Sequence, residues 1–212
     1  MTDLYFGKSD AFEVSLFHER RVIDEIEMVM SAFDCVLPDD AGIYCSSEIT
    51  TGRRYYFELL ASYGASSEDE LKRQLGEKDY KLVSVEFIRP NIARSIQFTE
   101  KLRERGLHNL FNPGPFFARG FDQQHYHFLW EWVIIKKIYE IYFNQGWEYS
   151  NGCTMEFAIA TKKGRPRFDH LGNKLDCQTA IEMIEQALAD LRARGLMTPK
   201  LEDNLKLIRA LE

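Results

Sequence analysis

A carboxylate close to a predicted helix start is the residue of this chain best suited to chemistry. Glu156 ends the sequence GWEYSNGCTME, which places hydroxyl, amide and glycine backbone groups at a helix N-terminus. Because the positive end of a helix dipole favours negative charge, we expect the carboxylate to be ionised. An ionised, fixed carboxylate can attack an electrophilic carbon or stabilise an oxocarbenium ion. The alternative is that Glu156 merely caps its helix.

A second polar segment, CSSEITTGR at residues 45–53, follows a predicted strand. It offers four hydroxyl groups, a glycine that permits close backbone approach, and Arg53 for an anion. These groups suit a phosphate or a sugar. They are equally typical of a strand-to-helix turn in which hydroxyl groups cap the helix. The segment therefore leaves both interpretations open.

The elements that would position these segments alternate between strand and helix patterns. Short apolar runs bounded by polar, Gly or Pro residues predict strands at residues 42–47, 108–115 and 138–143. Helical spacing and capping signals predict helices at 17–33, 90–105, 125–138, 153–164 and 179–194, with a last helix that starts at Thr198 and Pro199. This alternation predicts an α/β fold of flavodoxin or Rossmann type, a mostly parallel sheet with helices on both faces.

The length of 212 residues suits a single domain with additions. We expect a helical extension at residues 1–41, an α/β domain at 42–195 with a helical insertion at 53–89, and a C-terminal helix at 196–212.

Composition restricts the partners. A net charge of -6 repels a phosphate backbone, so we expect no polymeric nucleic acid as a partner. No apolar run reaches the roughly 18 residues that span a bilayer, and the first ten residues do not resemble a signal peptide. The four cysteines are scattered, which favours reduced thiols. We therefore expect a cytoplasmic protein with no membrane partner.

Three segments of the chain resemble the nucleoside 2-deoxyribosyltransferase-like superfamily. They are GIYCSSEITTGR, NIARSIQFTEKLRERG with NPGPF, and GWEYSNGCTMEFAIATKKGRP, within residues 42–166. The resemblance implies a flavodoxin-like sheet that binds a nucleoside or nucleotide. It also implies that Glu156 attacks the anomeric carbon and breaks the N-glycosidic bond.

The same resemblance implies further contacts with the substrate. Ser150 would contact the sugar or its phosphate, and Gly152 lies in the turn before Glu156. The family's first-strand loop, which holds sugar or phosphate, falls on Cys45, Ser46, Ser47, Ile49, Gly52 and Arg53. Many relatives carry an Asp where this chain has Tyr139, and the nearest substitutes for a second Asp are Asp122 and His127. The acid/base partner of Glu156 is therefore unassigned.

Other residues have both functional and structural interpretations. Trp147, in the loop beside the predicted site, is a candidate to stack on a base. Among Tyr126, Phe128, Trp130 and Trp132 we expect at least two to fill the core. His125 and His127 are two residues apart, and this spacing does not suit a metal site on a helix.

The prediction from sequence is cleavage or transfer at the N-glycosidic bond of a nucleoside or nucleoside 5'-monophosphate, with Glu156 as nucleophile. The prediction includes no metal or organic cofactor, and the resemblance suggests a homo-oligomer. A non-catalytic nucleotide-binding sensor or interaction protein is the alternative. A third possibility is different chemistry, such as base modification, in the same nucleotide pocket.

Overall fold

The structure is a computed structural model, and it describes residues 20–212. The order of its elements is α1 Arg20–Val36, β1 Gly42–Ser46, a π-helix Tyr55–Leu60, α2 Glu68–Glu104, β2 Leu110–Phe111, α3 Gln123–Lys136, β3 Ile138–Phe143, a 3-10 helix Trp147–Tyr149, α4 Asn151–Lys162, β4 Arg167–Phe168, α5 Cys177–Arg192 and α6 Pro199–Arg209.

The four strands form one parallel sheet in the order β2-β1-β3-β4. This confirms the predicted Rossmann-like α/β fold. The chain moves outward from β1 to β2 and then crosses back to β3 on the other side of β1. The direction of winding therefore reverses between β1 and β3. In open parallel sheets a crevice forms at the carboxyl ends of the two strands where this reversal occurs.

Strand β1 is covered on both faces, which explains its apolar sequence. Ile43 and Cys45 pack with Phe98 and Leu102 of α2 on one face. Tyr44 faces the larger core, which includes buried residues of α3 and α4. Helices therefore pack on both faces, as predicted.

The two outer strands differ from the predictions. Strand β2 spans only Leu110–Phe111 instead of residues 108–115, and Pro113, which has no N–H group, follows soon after it. Strand β4, Arg167–Phe168, was not predicted because its two residues carry no apolar alternation. It forms by pairing with Ile141 and Tyr142 of β3.

Helix boundaries also required corrections. The predicted insertion at 53–89 forms the π-helix Tyr55–Leu60 and the first part of α2. Helix α2 continues through the predicted helix at 90–105, kinks at Gly76 (φ 75°) and contains Pro90. Helix α5 starts at Cys177 with Asp176 as its cap, not at a Thr179 capping box. Helix α6 starts at Pro199 as predicted, but the Thr198 side chain does not cap it.

The beginning of the predicted helix at 17–33 lies outside the described residues, whereas the rest forms part of α1. Within residues 20–212, no helix has the length and apolar character required to cross a membrane.

Candidate active site

The Glu156 carboxylate is held by two hydroxyl groups from β1. The Tyr44 hydroxyl donates to Oε1 at 2.7 Å, and the Ser46 hydroxyl donates to Oε2 at 2.6 Å. Alternate residues of a strand point to the same face, so Tyr44 and Ser46 both reach toward α4. The carboxylate therefore lies near the carboxyl end of β1, the strand from which the chain winds first to β2 and then to β3.

Glu156 does not cap its helix. Helix α4 starts at Asn151, and Ser150 is its N-cap, with its hydroxyl accepting a hydrogen bond from the Cys153 N–H. Glu156 follows in the second turn, so the capping interpretation is wrong. A side chain on a helix leans toward the N-terminus and over the residue four positions earlier, which here is Gly152.

Burial raises the pKa of Glu156 to about 7, although the hydrogen bonds from Ser46 and Tyr44 act in the opposite direction. Glu156 is therefore split between acid and carboxylate near neutral pH. The expectation that the helix dipole keeps it ionised is not met, since the dipole acts mainly in the first turn. No cationic side chain of residues 20–212 forms an ion pair with it.

Tyr44 was missed from the sequence because a tyrosine in an apolar strand is typical of a core residue. Burial, together with the nearby Glu156, raises the pKa of Tyr44 well above its ordinary value. Its hydroxyl consequently remains a donor at physiological pH. The available signal was its spacing of two residues from Ser46 on a predicted strand.

The two cysteines near the site remain protonated. Burial raises the pKa of Cys45 to about 12 and that of Cys153 even further. Cys45 is fully buried on the face of β1 opposite Ser46. Its position therefore contradicts the prediction that its side chain contacts a substrate.

The loop after β1 is fixed by the protein itself. Gly52 adopts a φ of 149°, and a Cβ atom there would clash with the Glu48 carboxylate, which also accepts a hydrogen bond from the Arg53 N–H. The glycine therefore accommodates Glu48, and its contact with a substrate stays a prediction. The Ile49 carbonyl accepts a hydrogen bond from the Asn91 side chain at 2.8 Å, which ties the loop to α2.

The loop is also tied to the start of α4. The Thr51 hydroxyl accepts a hydrogen bond from the Asn151 N–H at 3.1 Å. The neighbouring Ser47 hydroxyl is buried and has no hydrogen-bond partner among the described residues.

Two cavities adjoin this loop. The larger one, of about 1300 Å³, is lined by six Arg or Lys and four Glu side chains, including Arg53 and Arg194, which both lie over the ring of Phe57. The smaller one, of about 620 Å³, is lined by Thr50 and Thr51 of the loop and by Gly152. Glu156 lines neither cavity, and the nearest lining residue on its helix face is Gly152.

Two other predicted contacts have structural roles. Trp147 is 2% exposed and packs on Phe143 and Phe157, so the prediction that it stacks on a base is wrong. Asp122 is the N-cap of α3 and forms a capping box with His125. Of the residues taken from the resemblance, Ser46 is the one whose side chain hydrogen-bonds to the Glu156 carboxylate.

The histidines and tryptophans of α3 follow the structural interpretations. The Nδ1 atom of His125 accepts a hydrogen bond from the Asp122 N–H, and His127 hydrogen-bonds with Gln123. Trp130 and Trp132 are buried, so at least two of the four aromatic residues fill the core as expected. The described part of the chain contains no group of three His, Cys, Asp or Glu side chains arranged for a metal ion.

Comparisons with protein-family models, with curated proteins and with solved structures give no match for this chain.

Proposed function

We propose that Glu156 cleaves or transfers at the N-glycosidic bond of a nucleoside or a nucleoside 5'-monophosphate. The supporting observation is its carboxylate, held by two hydroxyl donors from the carboxyl-terminal half of β1 and without an ion-pair partner among the described residues. When ionised, a carboxylate without a counter-ion has its charge available for an electron-poor anomeric carbon. The motif resemblance to the nucleoside 2-deoxyribosyltransferase-like superfamily supports the same chemistry.

The reaction proceeds in two steps with retention at the anomeric carbon. An oxygen of ionised Glu156 bonds to that carbon while the N-glycosidic bond breaks, and the bond's electron pair leaves with the base, which takes up a proton from solvent. The resulting glycosyl ester is then attacked by water or by a second base, which gives up a proton to solvent as the ester bond breaks and the carboxylate is regenerated. Tyr44 and Ser46 are positioning residues, since they orient the two carboxylate oxygens.

The larger cavity suits the phosphate of a monophosphate substrate. Arg53 and Arg194 line it, and neither forms an ion pair with another described residue. Guanidinium groups bind phosphate through paired hydrogen bonds, so these two arginines can receive an anion.

A second candidate function is nucleotide binding without turnover, as in a sensor or interaction protein. It is favoured by the fact that Glu156 lines neither of the two cavities. In that case the Glu156 hydrogen bonds would serve only to join α4 to β1.

The two functions are separated by incubation with a panel of nucleosides and their 5'-monophosphates, with chromatographic detection of the free base. We expect release by the wild type and at least about a 100-fold loss in Glu156→Gln, which keeps the shape but not the nucleophile. Glu140→Gln is the matched control, because Glu140 is also a partly buried glutamate whose pKa is raised by burial, but it lies on β3. Equal release by wild type and Glu156→Gln contradicts the catalytic proposal, and nucleotide binding without any release supports the sensor.

A further inference from the structure

The larger cavity lies at the carboxyl ends of three strands. Its lining includes Arg53 from the loop after β1, Asn144 directly after β3, and His170 after β4. Ligands of open parallel sheets bind at this edge of the sheet. Another wall of the cavity is α2, whose lining residues recur at intervals of three or four positions within 94–105 and so share one helix face. A ligand in the cavity therefore lies between the sheet edge and this face of α2.

The cavity carries more positive than negative charge. Two of its six cationic side chains pair with lining glutamates, Arg54 with Glu58 at 2.8 Å and Arg94 with Glu48 at 3.9 Å. The other two of the four lining glutamates remain to balance four cations, which form no ion pair with another described residue: Arg53, Lys101, Arg105 and Arg194. Burial also raises the pKa of Glu48 and Glu148, so these carboxyl groups are less readily ionised. The cavity is therefore suited to an anion.

Two of the four cations form a first group beside the π-helix. The guanidinium carbons of Arg53 and Arg194 lie 5.6 Å and 4.4 Å from the centroid of the same ring, that of Phe57. A guanidinium group that lies over a ring uses its face, so its N–H edges remain available for a phosphate. The nearby Asp190 carboxylate accepts a hydrogen bond from the Tyr149 hydroxyl at 2.7 Å and pairs with neither arginine.

Lys101 and Arg105 form a second group, one turn apart near the end of α2. The Arg105 guanidinium is fixed by the loop after β4, since it donates to the carbonyl oxygens of His170 at 3.1 Å and Leu171 at 3.0 Å. Carbonyl oxygens carry no net charge, so the Arg105 cation is oriented but not neutralised. The alternative role of both residues is to complement the negative end of the helix dipole.

The two groups are separated along α2. Glu48 accepts a hydrogen bond from the Arg53 N–H at 2.8 Å and lies 3.9 Å from the Arg94 guanidinium, so Arg94 is on the side of the first group. Residues 94 and 101 of α2 are separated by a rise of about 10 Å. A chain of phosphates can extend from one group toward the other, whereas a single phosphate occupies one end. The volume of about 1300 Å³ leaves room for such a ligand.

We propose that the larger cavity binds a chain of two or three phosphates, as in a nucleoside 5'-diphosphate or 5'-triphosphate. The first phosphate lies at Arg53 and Arg194, and the last lies at Lys101 and Arg105. The inference rests on the proposed function in one respect, because it takes the phosphate at Arg53 as that of the substrate. It extends the expected substrate class from a monophosphate to a nucleotide with a longer phosphate chain.

Calorimetric titration with inorganic phosphate, pyrophosphate and tripolyphosphate, without divalent cations, tests the inference. These probes contain no base or sugar, so their binding does not require a reaction at Glu156. We expect the wild type to bind at least one of the two longer probes about tenfold more tightly than phosphate. Lys101→Met should lose this gain and keep its affinity for phosphate, whereas Lys101→Arg should keep both. Arg194→Met should weaken the binding of all three probes.

Lys81→Met is the matched control for Lys101→Met. It removes the same charge from the same helix, but Lys81 pairs with Glu77 at 2.8 Å and does not line the cavity. Lys81 and Lys101 are both exposed, so thermal unfolding should show that both variants fold as the wild type does.

Two results overturn the inference. In one, the wild type binds pyrophosphate and tripolyphosphate no more tightly than phosphate. In the other, Lys101→Met keeps the gain as Lys81→Met does, and Lys101 then serves only the end of its helix. A gain that depends on Lys101, without release of a base from any nucleotide, would support the phosphate-chain site and overturn only the proposed catalytic function. Glu156-dependent release without the gain would overturn only the phosphate-chain site.

Discussion

The protonation state of Glu156 sets the pH dependence of the proposed reaction. Only the ionised carboxylate can act as a nucleophile, and its pKa is raised to about 7. We expect kcat/KM for base release to rise about tenfold per pH unit below that value and to level off above it. Ser46→Ala should move the midpoint of this pH profile to higher pH, because the variant loses a hydrogen bond that favours the charged form of Glu156. A wild-type midpoint near 4.5, the ordinary value for a glutamate, would contradict the role assigned to burial.

The site role of a single residue could be predicted where both residues of a contact lie in the family-like segments of the sequence. Glu156 and Ser46 were both selected from the sequence, and they hydrogen-bond to each other. Tyr44 and the role of Trp147 were not foreseen, because an aromatic residue gives the same local signal in a core and in a site. Only the packing of β1 and β3 against α4 distinguishes the two roles.

At the level of the element, the start of α4 depends on Ser150. Its hydroxyl accepts a hydrogen bond from the Cys153 N–H, and the residue is 3% exposed. We expect Ser150→Ala to lower the free energy of unfolding by about 1 kcal/mol, measured by urea denaturation. Ser150→Thr keeps an oxygen that can accept the bond and should lose less. If both variants match the wild type, Ser150 is not needed to start the helix.

Elements with their own periodicity were predictable, whereas those that depend on distant partners were not. Strand β3 and the start of α6 follow the predictions, because buried apolar runs and a proline at the first helical position are local signals. Strand β4 has only two residues and exists through its pairing with β3. The predicted helix at 90–105 has no start of its own at Pro90, since α2 continues through that proline.

Across the whole molecule, one buried lysine joins the N-terminal helix to the sheet. Lys137, which directly precedes β3, is 3% exposed and pairs with Asp34 of α1 at 2.6 Å and with Asp39 at 2.5 Å. Burial acts to lower the pKa of Lys137, but the two carboxylates outweigh it and raise the pKa. The sequence did not predict this connection, since 98 residues separate Asp39 from Lys137.

Removal of both carboxylates should therefore destabilise the protein, because it leaves a buried ammonium group without its partners. For Asp34→Asn with Asp39→Asn we expect a lower free energy of unfolding than in the wild type, with the loss limited by the exposure of both aspartates to solvent. Adding Lys137→Met should restore most of that loss, whereas Asp24→Asn, at an exposed position of α1, should have no effect.

The pKa of Asp39 is held below its ordinary 3.8 by Lys137, so the stabilisation is present above about pH 4 and disappears as the pH falls further. Urea denaturation at pH 7 and pH 3 measures both effects, and an equal loss in the triple variant would show that the carboxylates act independently of Lys137.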